Sequence, residues 1–309
     1  MRFALFGNIY QAKKSALVKR LLCALEEREA EVYVDRSFCE YLTRQLQFDL
    51  QPAGLIDGNQ FEADYAVSMG GDGTFLQTAS RVGDKGIPII GVNTGRLGFL
   101  ADVSGEEIEQ TVQGIYDGNF HIESRSVLQV EYGNGGEWRV ESGERNVFPY
   151  ALNEVAVLKR DNSSMISIRV DINGEYLTTY QADGLIVNTP TGSTGYALSV
   201  GGPIMSPLSG ALGLVPVAPH SLNVRPLMIC DNQHVTLSVE SRNHHFLVSI
   251  DGRSETCREG IRLHVRRAPY DICVLRRSEG SFFHTLRSKL MWGNDLRSDI
   301  GDRQNQTEE

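Results

Sequence analysis

The sequence predicts an α/β domain built on a parallel sheet, joined to an all-β domain, with the C-terminal segment returning to the first domain. Three observations lead there. Across the first hundred residues, β-type apolar runs alternate with amphipathic helical ones, the pattern of a parallel sheet covered on both faces. From about His121 to Leu275 the chain breaks into short alternating segments separated by turn signals, the texture of antiparallel β structure. Near the end, "SFFHTLRSKLMWG" has helical spacing once more, and a lone helix after a β domain needs a surface on which to bury its apolar side. The domains are therefore expected at 1–120 plus 276–309 (α/β) and at 121–275 (β-rich).

The elements follow in order. "RFALFGN" reads as a strand and 11–29 as a helix, with Leu17, Leu21, Leu22 and Leu25 on one face and Lys13 and Lys14 at its solvated start. "AEVYVD" is a strand, "FCEYLTRQL" a helix, "ADYAVSMGG" a strand, Thr74 to Val82 a helix and "IPIIGVNTG" a further strand. "SGEE" at 104–107 is an S-x-x-E capping box, opening a helix that ends near Gly118. In the second half, Asn173-Gly174 and Asp251-Gly252 are hairpin dipeptides. The tail from Asn294 is polar and expected to fray.

Composition narrows the function. Apolar content of 41% and charged content of 22% suit an ordinary globular chain. No apolar run approaches the roughly 20 residues that span a bilayer. The apolar N-terminus is too short for a signal-peptide core, so no membrane partner and a cytoplasmic location are expected. The five cysteines, Cys23, Cys39, Cys230, Cys257 and Cys273, are odd in number and lack C-x-x-C spacing, which favours buried free thiols over zinc or disulfides. His244 and His245 fall in a strand-like stretch, face opposite sides and do not readily chelate one metal. A net charge of −9 argues against a nucleic-acid partner. An anionic ligand would have to be attracted locally, by backbone N–H groups, a helix N-terminus or a bound cation.

Three stretches carry chemistry. In "YAVSMGGDGTFLQTAS" (65–80) a strand gives way to a helix across Gly70-Gly71-Asp72-Gly73. Glycine lets the backbone approach a ligand, and the following helix directs N–H groups at it, which suits phosphate. Neither a P-loop nor a G-x-G-x-x-G opening a helix is present. The bare carboxylate of Asp72 fits two tasks, taking a proton from an attacking hydroxyl or recruiting a phosphate-bound magnesium ion; the plainer reading is a cap for the next helix. In "ADGLIVNTPTGSTGYALSVGGPI" (182–204) a buried-strand pattern runs into a segment dense in hydroxyls and glycines, where Thr189, Thr191, Ser193, Thr194, Tyr196 and Ser199 offer neutral groups for sugar hydroxyls and base edges. In "ALNEVAVLKR" (151–160), Asn153-Glu154 interrupts an apolar strand, so the pair sits at a strand end or is satisfied by a ligand.

Together these stretches resemble the NAD kinases. "GGDGT", "NE" and "TPTGSTGYALSVGGP" match that family's motifs in order, as do "NTGRLGFLADV" (93–103) and "PVAPHSLNVRPL" (216–227), so the likeness runs from about Gly70 to Leu290. The G-G-D-G turn is shared with diacylglycerol-type lipid kinases and phosphofructokinases; the T-G-S-T-x-Y segment is not. The resemblance implies transfer of the ATP γ-phosphoryl group to the 2′-hydroxyl of the adenosine ribose of NAD. It also implies a divalent cation such as magnesium, bound mainly through the ATP phosphates, and a homodimer or homotetramer in which a neighbouring subunit can supply part of each site.

Carried over by motif, the resemblance makes Asp72 the catalytic group and sets Gly73 along the phosphate approach. It packs Phe99 on the adenine, has Asn153 read that base, and gives the ribose hydroxyls to Glu154. Gln181 and Asp183 contact the far end of the dinucleotide, Thr194, Gly195, Tyr196, Ala197, Leu198 and Ser199 wrap the adenosine, and Ala218 belongs to the substrate wall. Ser164 and Arg253 fall where the family varies. Gln77 is neutral where members often carry a basic residue, and Gly195 stands where many carry alanine, which should loosen that turn slightly. Two other readings remain at this point: a lipid kinase, which would need an apolar acyl entry or a basic membrane-facing helix, and a dinucleotide sensor, which would not need Asp72.

Overall fold

The computed structural model describes residues 1–7, 15–95, 98–134, 137–139, 148–160, 164–277 and 281–293. Lys13, Lys14, Arg96 and the tail from Asn294 lie outside the described residues. The first half runs β1 (Arg2–Gly7), α1 (Ser15–Glu26), β2 (Glu31–Asp35), α2 (Arg36–Arg44), β3 (Gly54–Ile56), β4 (Tyr65–Gly70), α3 (Asp72–Val82), β5 (Ile89–Asn93) and α4 (Ile108–Asp117). Strands β3-β2-β1-β4-β5 are adjacent in that order and all parallel.

Alternation along the strands explains the layering. Phe3, Leu5, Val67 and Ile90 point to the face covered by α1 and α4, where Leu21, Leu25, Ile108 and Val112 bury. Ala4, Phe6, Ala66 and Ile89 point to the other face, against Phe75 and Ala79 of α3. The expected capping box forms, with Ser104 and Glu107 bonded reciprocally.

The second half contains β6 (Phe120–Asn134), β7 (Glu137–Arg139), β8 (Tyr150–Ala151), β9 (Glu154–Lys159), β10 (Ile166–Ile172), β11 (Glu175–Ala182) and β12 (Gly184–Asn188). After the short α5 (Tyr196–Ser199) come β13 (Ala211–Val217), β14 (Leu227–Cys230), β15 (Val235–Glu240), β16 (His245–Ile250), β17 (Arg253–Arg258), β18 (Arg262–Arg277) and α6 (Phe282–Leu290). One sheet, β14-β13-β12-β9-β16-β17, is antiparallel throughout. It packs Val155, Leu185, Phe246 and Val248 against Leu128, Ile168, Leu237 and Val265 of the opposing layer. Both hairpin dipeptides turn with positive φ, 51° and 84° at Asn173-Gly174 and 47° and 79° at Asp251-Gly252, as a type I′ turn requires.

The opposing layer is continuous with the parallel sheet. Strand β18 pairs with β15 and β6, and at Val274 it meets Ile89 of β5 in parallel. Its register with β6 shifts between Arg267 and Asp271, around Pro269, which cannot donate to the ladder. The chain then returns to the first half. Arg277 pairs with Glu107, and the Phe282 ring of α6 lies 6.4 Å from that of Phe99. No helix among the described residues is long and apolar enough to cross a membrane.

Candidate active site at the strand-to-helix turn

Strand β4 ends at Gly70, Gly71 occupies the N-cap position, and α3 begins at Asp72 itself, two residues before the start expected from sequence. The Gly71 cap receives no side-chain hydrogen bond, and the Asp72 carboxylate turns away from the helix. Oδ2 accepts from the Phe99 N–H at 3.0 Å, and Oδ1 accepts from the N–H groups of Leu100 and Ala101 at 3.0 and 3.1 Å. Gly98 permits this approach, because a Cβ there would lie 2.0 Å from Oδ1. A carboxylate offers about four acceptor positions. With Oδ1 doubly bonded, the remaining capacity is on Oδ2, which also faces Lys289 Nζ of α6 at 3.5 Å. Gly73 is exposed, with open space where a side chain would be.

Phe99 is only 8% exposed. Lys289 Nζ sits 4.4 Å from its ring centroid, and Phe282 packs beside it. Adenine stacking on this ring therefore requires its uncovered edge or a shift of α6.

Asn153 and Glu154 stand where β9 begins, so the interruption of the apolar pattern does fall at a strand end. Glu154 is nonetheless buried and Asn153 half-buried, with its Oδ1 shielded from solvent. Glu154 Oε2 and Asn153 Oδ1 have no hydrogen-bond partner among the described residues. Burial pushes the Glu154 carboxyl up to about 7, the nearby Asp251 charge adds to this, and the Tyr196 N–H opposes it. Sequence reading took Asp251 only as half of a turn; its carboxylate gathers the N–H groups of Leu152, Asn153 and Glu154 at 2.8, 2.9 and 3.1 Å and so fixes the backbone of the pair. An Asp-Gly dipeptide carries no signal for that second task. Arg253 steadies the same corner, donating to the carbonyls of Ile250 and Tyr150 at 3.1 Å each and lying over the Phe148 ring.

The hydroxyl-rich segment folds over this pair. Gly192 abuts it so closely that a Cβ would lie 2.1 Å from the Asn153 carbonyl oxygen. Several hydroxyls serve the fold. Thr189 Oγ1 donates to the Leu152 carbonyl at 2.6 Å, and Ser193 Oγ donates to Pro190 and accepts from Met205 N. Thr194 and Ser199 donate to carbonyls one turn back and keep their acceptor lone pairs. Ala197 is fully buried among Ala156, Ile186 and Val215, anchoring α5, whereas Tyr196 and Ser199 are exposed. At Gly195 a Cβ would stand 3.1 Å from Glu154 Oε2 and 3.2 Å from Asn153 Nδ2.

An ionic chain of two buried arginines and two half-buried carboxylates connects this region to the Asp72 loop. Arg276 donates to the Phe99 carbonyl at 3.0 Å, pairs with Asp102, and reaches Glu123 at 3.2 Å. Arg125 pairs with the same Glu123 and extends to Thr191 Oγ1 at 3.4 Å. Burial alone would raise the Glu123 carboxyl, but the two arginines more than offset it and hold it below the usual range. A cavity of about 270 Å³ lies along this chain, lined by Phe99, Asp102, Arg125, Leu208, Arg276 and Phe282.

Gln181, Asp183, Ala218 and Ser164 sit elsewhere. Strand β12 pairs Asn188 with Glu154 at one end and Gly184 with Leu158 at the other, so Asp183 lies roughly 13 Å or more along the strand from Glu154. Asp183 is paired with Lys159 at 2.7 Å, and Gln181 donates to Ser167 at 2.7 Å. Ala218, in the left-handed region at φ 45°, follows Val217, whose carbonyl accepts from Asp183 N. Ser164 precedes β10, whose first pair joins Ile166 to Ala182 at this same end.

The ATP-NAD kinase N-terminal domain family matches residues 3–120, and the ATP-NAD kinase C-terminal domain family matches residues 152–276. An NAD kinase of Bacteroides fragilis is 57% identical over 297 residues, covering 96% of this chain and all of that one. An NAD kinase of Porphyromonas gingivalis is 43% identical, covering 96% of this chain and 99% of its own. Among solved structures, the fold is similar to that of yeast NADH kinase complexed with NADH, with a TM-score of 0.83 at 23% identity, over 96% of this chain and 89% of that one. An NAD kinase from Archaeoglobus fulgidus in complex with ATP gives a TM-score of 0.72 at 26% identity, over 94% and 99%. The carboxylate at a glycine turn, the Asn-Glu pair with its shielded oxygens and the hydroxyl-rich segment folded over it thus occur in a chain whose two halves match both domains in order, and it belongs to the NAD kinase family.

Proposed function

We propose that the chain transfers the γ-phosphoryl group of ATP to the 2′-hydroxyl of the adenosine ribose of NAD, giving NADP and ADP. The observation that carries the chemistry is the hydrogen bonding of Asp72: three backbone donors fix its carboxylate and leave acceptor capacity on Oδ2. Such an oxygen suits a base that orients the 2′-hydroxyl and takes its proton. A general base contributes about 10²–10⁴-fold, and orientation of the reactants about 7–11 kcal/mol. Glu154 and Asn153 supply the complementary grip. Their buried, unpartnered oxygens suit ribose hydroxyls and the adenine amino group, with Thr194, Tyr196 and Ser199 around the adenosine.

A divalent cation enters this reading as part of the ATP substrate. Among the described residues no group of three or more His, Cys, Asp or Glu is arranged to hold a metal ion.

The distance of Gln181, Asp183 and Ala218 from Glu154 along β12 supports a homodimer or homotetramer in which a second copy presents that group to the site. Beside it, Leu222 is 91% exposed, and Leu227 and Met228 lie exposed on the edge strand β14. The deciding experiment is detection of NADP from NAD and ATP, with and without magnesium, on the purified chain. Formation of NADP is expected; tight NAD binding without turnover would instead indicate a dinucleotide sensor.

A further inference from the structure

Among the described residues Lys289 is the cation that pairs with Asp72, and it comes from the last helix rather than from the glycine turn. The turn and α3 carry no basic residue before Arg81, and Arg81 is paired with Asp35. Lys289 Nζ stands 3.5 Å from Asp72 Oδ2 and 4.4 Å from the centre of the Phe99 ring. Its side chain is 29% exposed and that of Asp72 33%, so both are open to a ligand.

From this placement we infer that Lys289 is a further catalytic residue: its ammonium contacts the oxygens of the phosphoryl group during transfer. The inference rests on the reaction proposed above. A hydroxyl whose proton goes to Oδ2 lies about 2.6–3.2 Å from that oxygen. The phosphorus it attacks lies about 3–3.5 Å beyond. An ammonium 3.5 Å from the same Oδ2, on a flexible four-carbon stem, is within one rotamer change of the phosphoryl oxygens. In the step, the 2′-oxygen forms a bond to the γ-phosphorus and the bond to the β,γ-bridging oxygen breaks. The electron pair leaves with ADP and the hydroxyl proton passes to Asp72. Lys289 stays protonated and donates hydrogen bonds to the equatorial oxygens, where the negative charge of a loose transition state is spread.

A purely structural role fits less well. Helix α6 is already docked without this lysine by buried Leu286, by Phe282 against Phe99, and by the ion pairs of Arg276 and Arg277 immediately before it. A partly exposed ion pair adds only about 0–1 kcal/mol to such docking.

The test compares Lys289→Met and Lys289→Arg with the unaltered full chain, measuring NADP formation against ATP concentration, NAD affinity by calorimetry, and thermal unfolding. Lys289→Met is expected to lose on the order of 10²-fold in kcat, as loss of one charge-stabilising donor does, with NAD affinity and melting temperature nearly unchanged. Lys289→Arg should recover about tenfold of that loss, since it keeps the charge but not the geometry. A Lys289→Met protein within about threefold of normal kcat would overturn the inference, as would parallel loss of NAD binding and turnover in both variants. Should Lys289→Met not fold, Lys289→Arg decides: a kcat reduced about tenfold with NAD affinity intact supports phosphoryl contact, and a normal kcat excludes it. Failure of the unaltered chain to make NADP would instead count against the reaction proposed above.

Discussion

The Asp72 loop and the Asn153-Glu154 pocket each place a carboxylate at the end of an apolar strand, and they treat it in opposite ways. Asp72 accepts three backbone hydrogen bonds and is one-third exposed. Glu154 is buried, with one oxygen unpartnered among the described residues and a proton affinity raised to about 7. The first group is complete as a structural clamp before any ligand arrives, with acceptor capacity left on Oδ2. The second is left incomplete at an energetic cost that a ligand can relieve. The difference separates two tasks: a group that must be aimed correctly during a reaction benefits from a fixed surround, whereas a group that selects a ligand benefits from being satisfied only by that ligand. Asp251 links the two designs, because it holds the backbone of the incomplete pair with the same three-donor arrangement that holds Asp72.

The largest effect should come from breaking the complete group. Asp72→Asn removes the base, and it is not silent toward the clamp. An amide has one acceptor oxygen, so whichever way it is turned its NH₂ meets a backbone N–H of residues 99–101. We expect kcat to fall at least about 10²-fold while NAD affinity changes little. We also expect a loss of stability of about 1–3 kcal/mol, the cost of a donor left without its acceptor. Steady-state kinetics, calorimetry and thermal unfolding on the same sample separate these. Near-normal turnover would make Asp72 a structural clamp and nothing more.

A smaller effect should come from titrating the incomplete group. The folded, unliganded protein holds the Glu154 proton more tightly than an unfolded chain does, so this residue's contribution to stability falls as pH rises from the ordinary glutamate range to about 7. Ribose hydroxyls donate to the ionised form, so NAD binding should release a proton and tighten over the same interval. Between pH 8 and pH 6 the dissociation constant for NAD is expected to rise about tenfold, with proton release visible in buffers of different ionisation enthalpy. Glu154→Gln should bind more weakly at pH 8 and show no such slope. A slope that survived the substitution would assign the titration to another group.

How much of this was legible in the sequence follows the same division. The glycine turn, the Asn-Glu pair and the hydroxyl-rich segment were each visible, because their residue types conflict with an apolar strand or crowd a turn. Strand and helix order was visible through periodicity, and both hairpins through their Asn-Gly and Asp-Gly turns. What was hidden depends on contacts between distant positions. Nothing local to Asp72 announces that its acceptors are the amides of residues 99–101, or that Arg276 grips the Phe99 carbonyl from the other half of the chain. Asp251 looked like a turn residue because one side chain can serve a turn and a distant backbone together. The hydroxyls also divided in a way composition could not foresee: Thr189 and Ser193 hold the loop, and Thr194 and Ser199 retain acceptor capacity.

The smallest effect should come from Gly195, and it measures how rigid the incomplete pocket is. Its φ of −94° is open to any residue, but its ψ of −132° falls between the extended and right-handed helical regions, so space is one of two constraints there. An alanine methyl would stand 3.1 Å from Glu154 Oε2 and 3.2 Å from Asn153 Nδ2, closer than ordinary contact, so those side chains or the turn must yield by a few tenths of an ångström. Glycine here thus provides clearance for the acid as well as freedom for the turn. If the pocket adapts, Gly195→Ala should change NAD affinity by less than about threefold, while the added methyl dries the carboxyl further and moves the midpoint of the pH dependence upward. A loss of tenfold or more with the midpoint unmoved would mean the pair cannot shift at all. The contrast with Asp72 would then lie only in hydrogen bonding, and both carboxylates would be held equally fast.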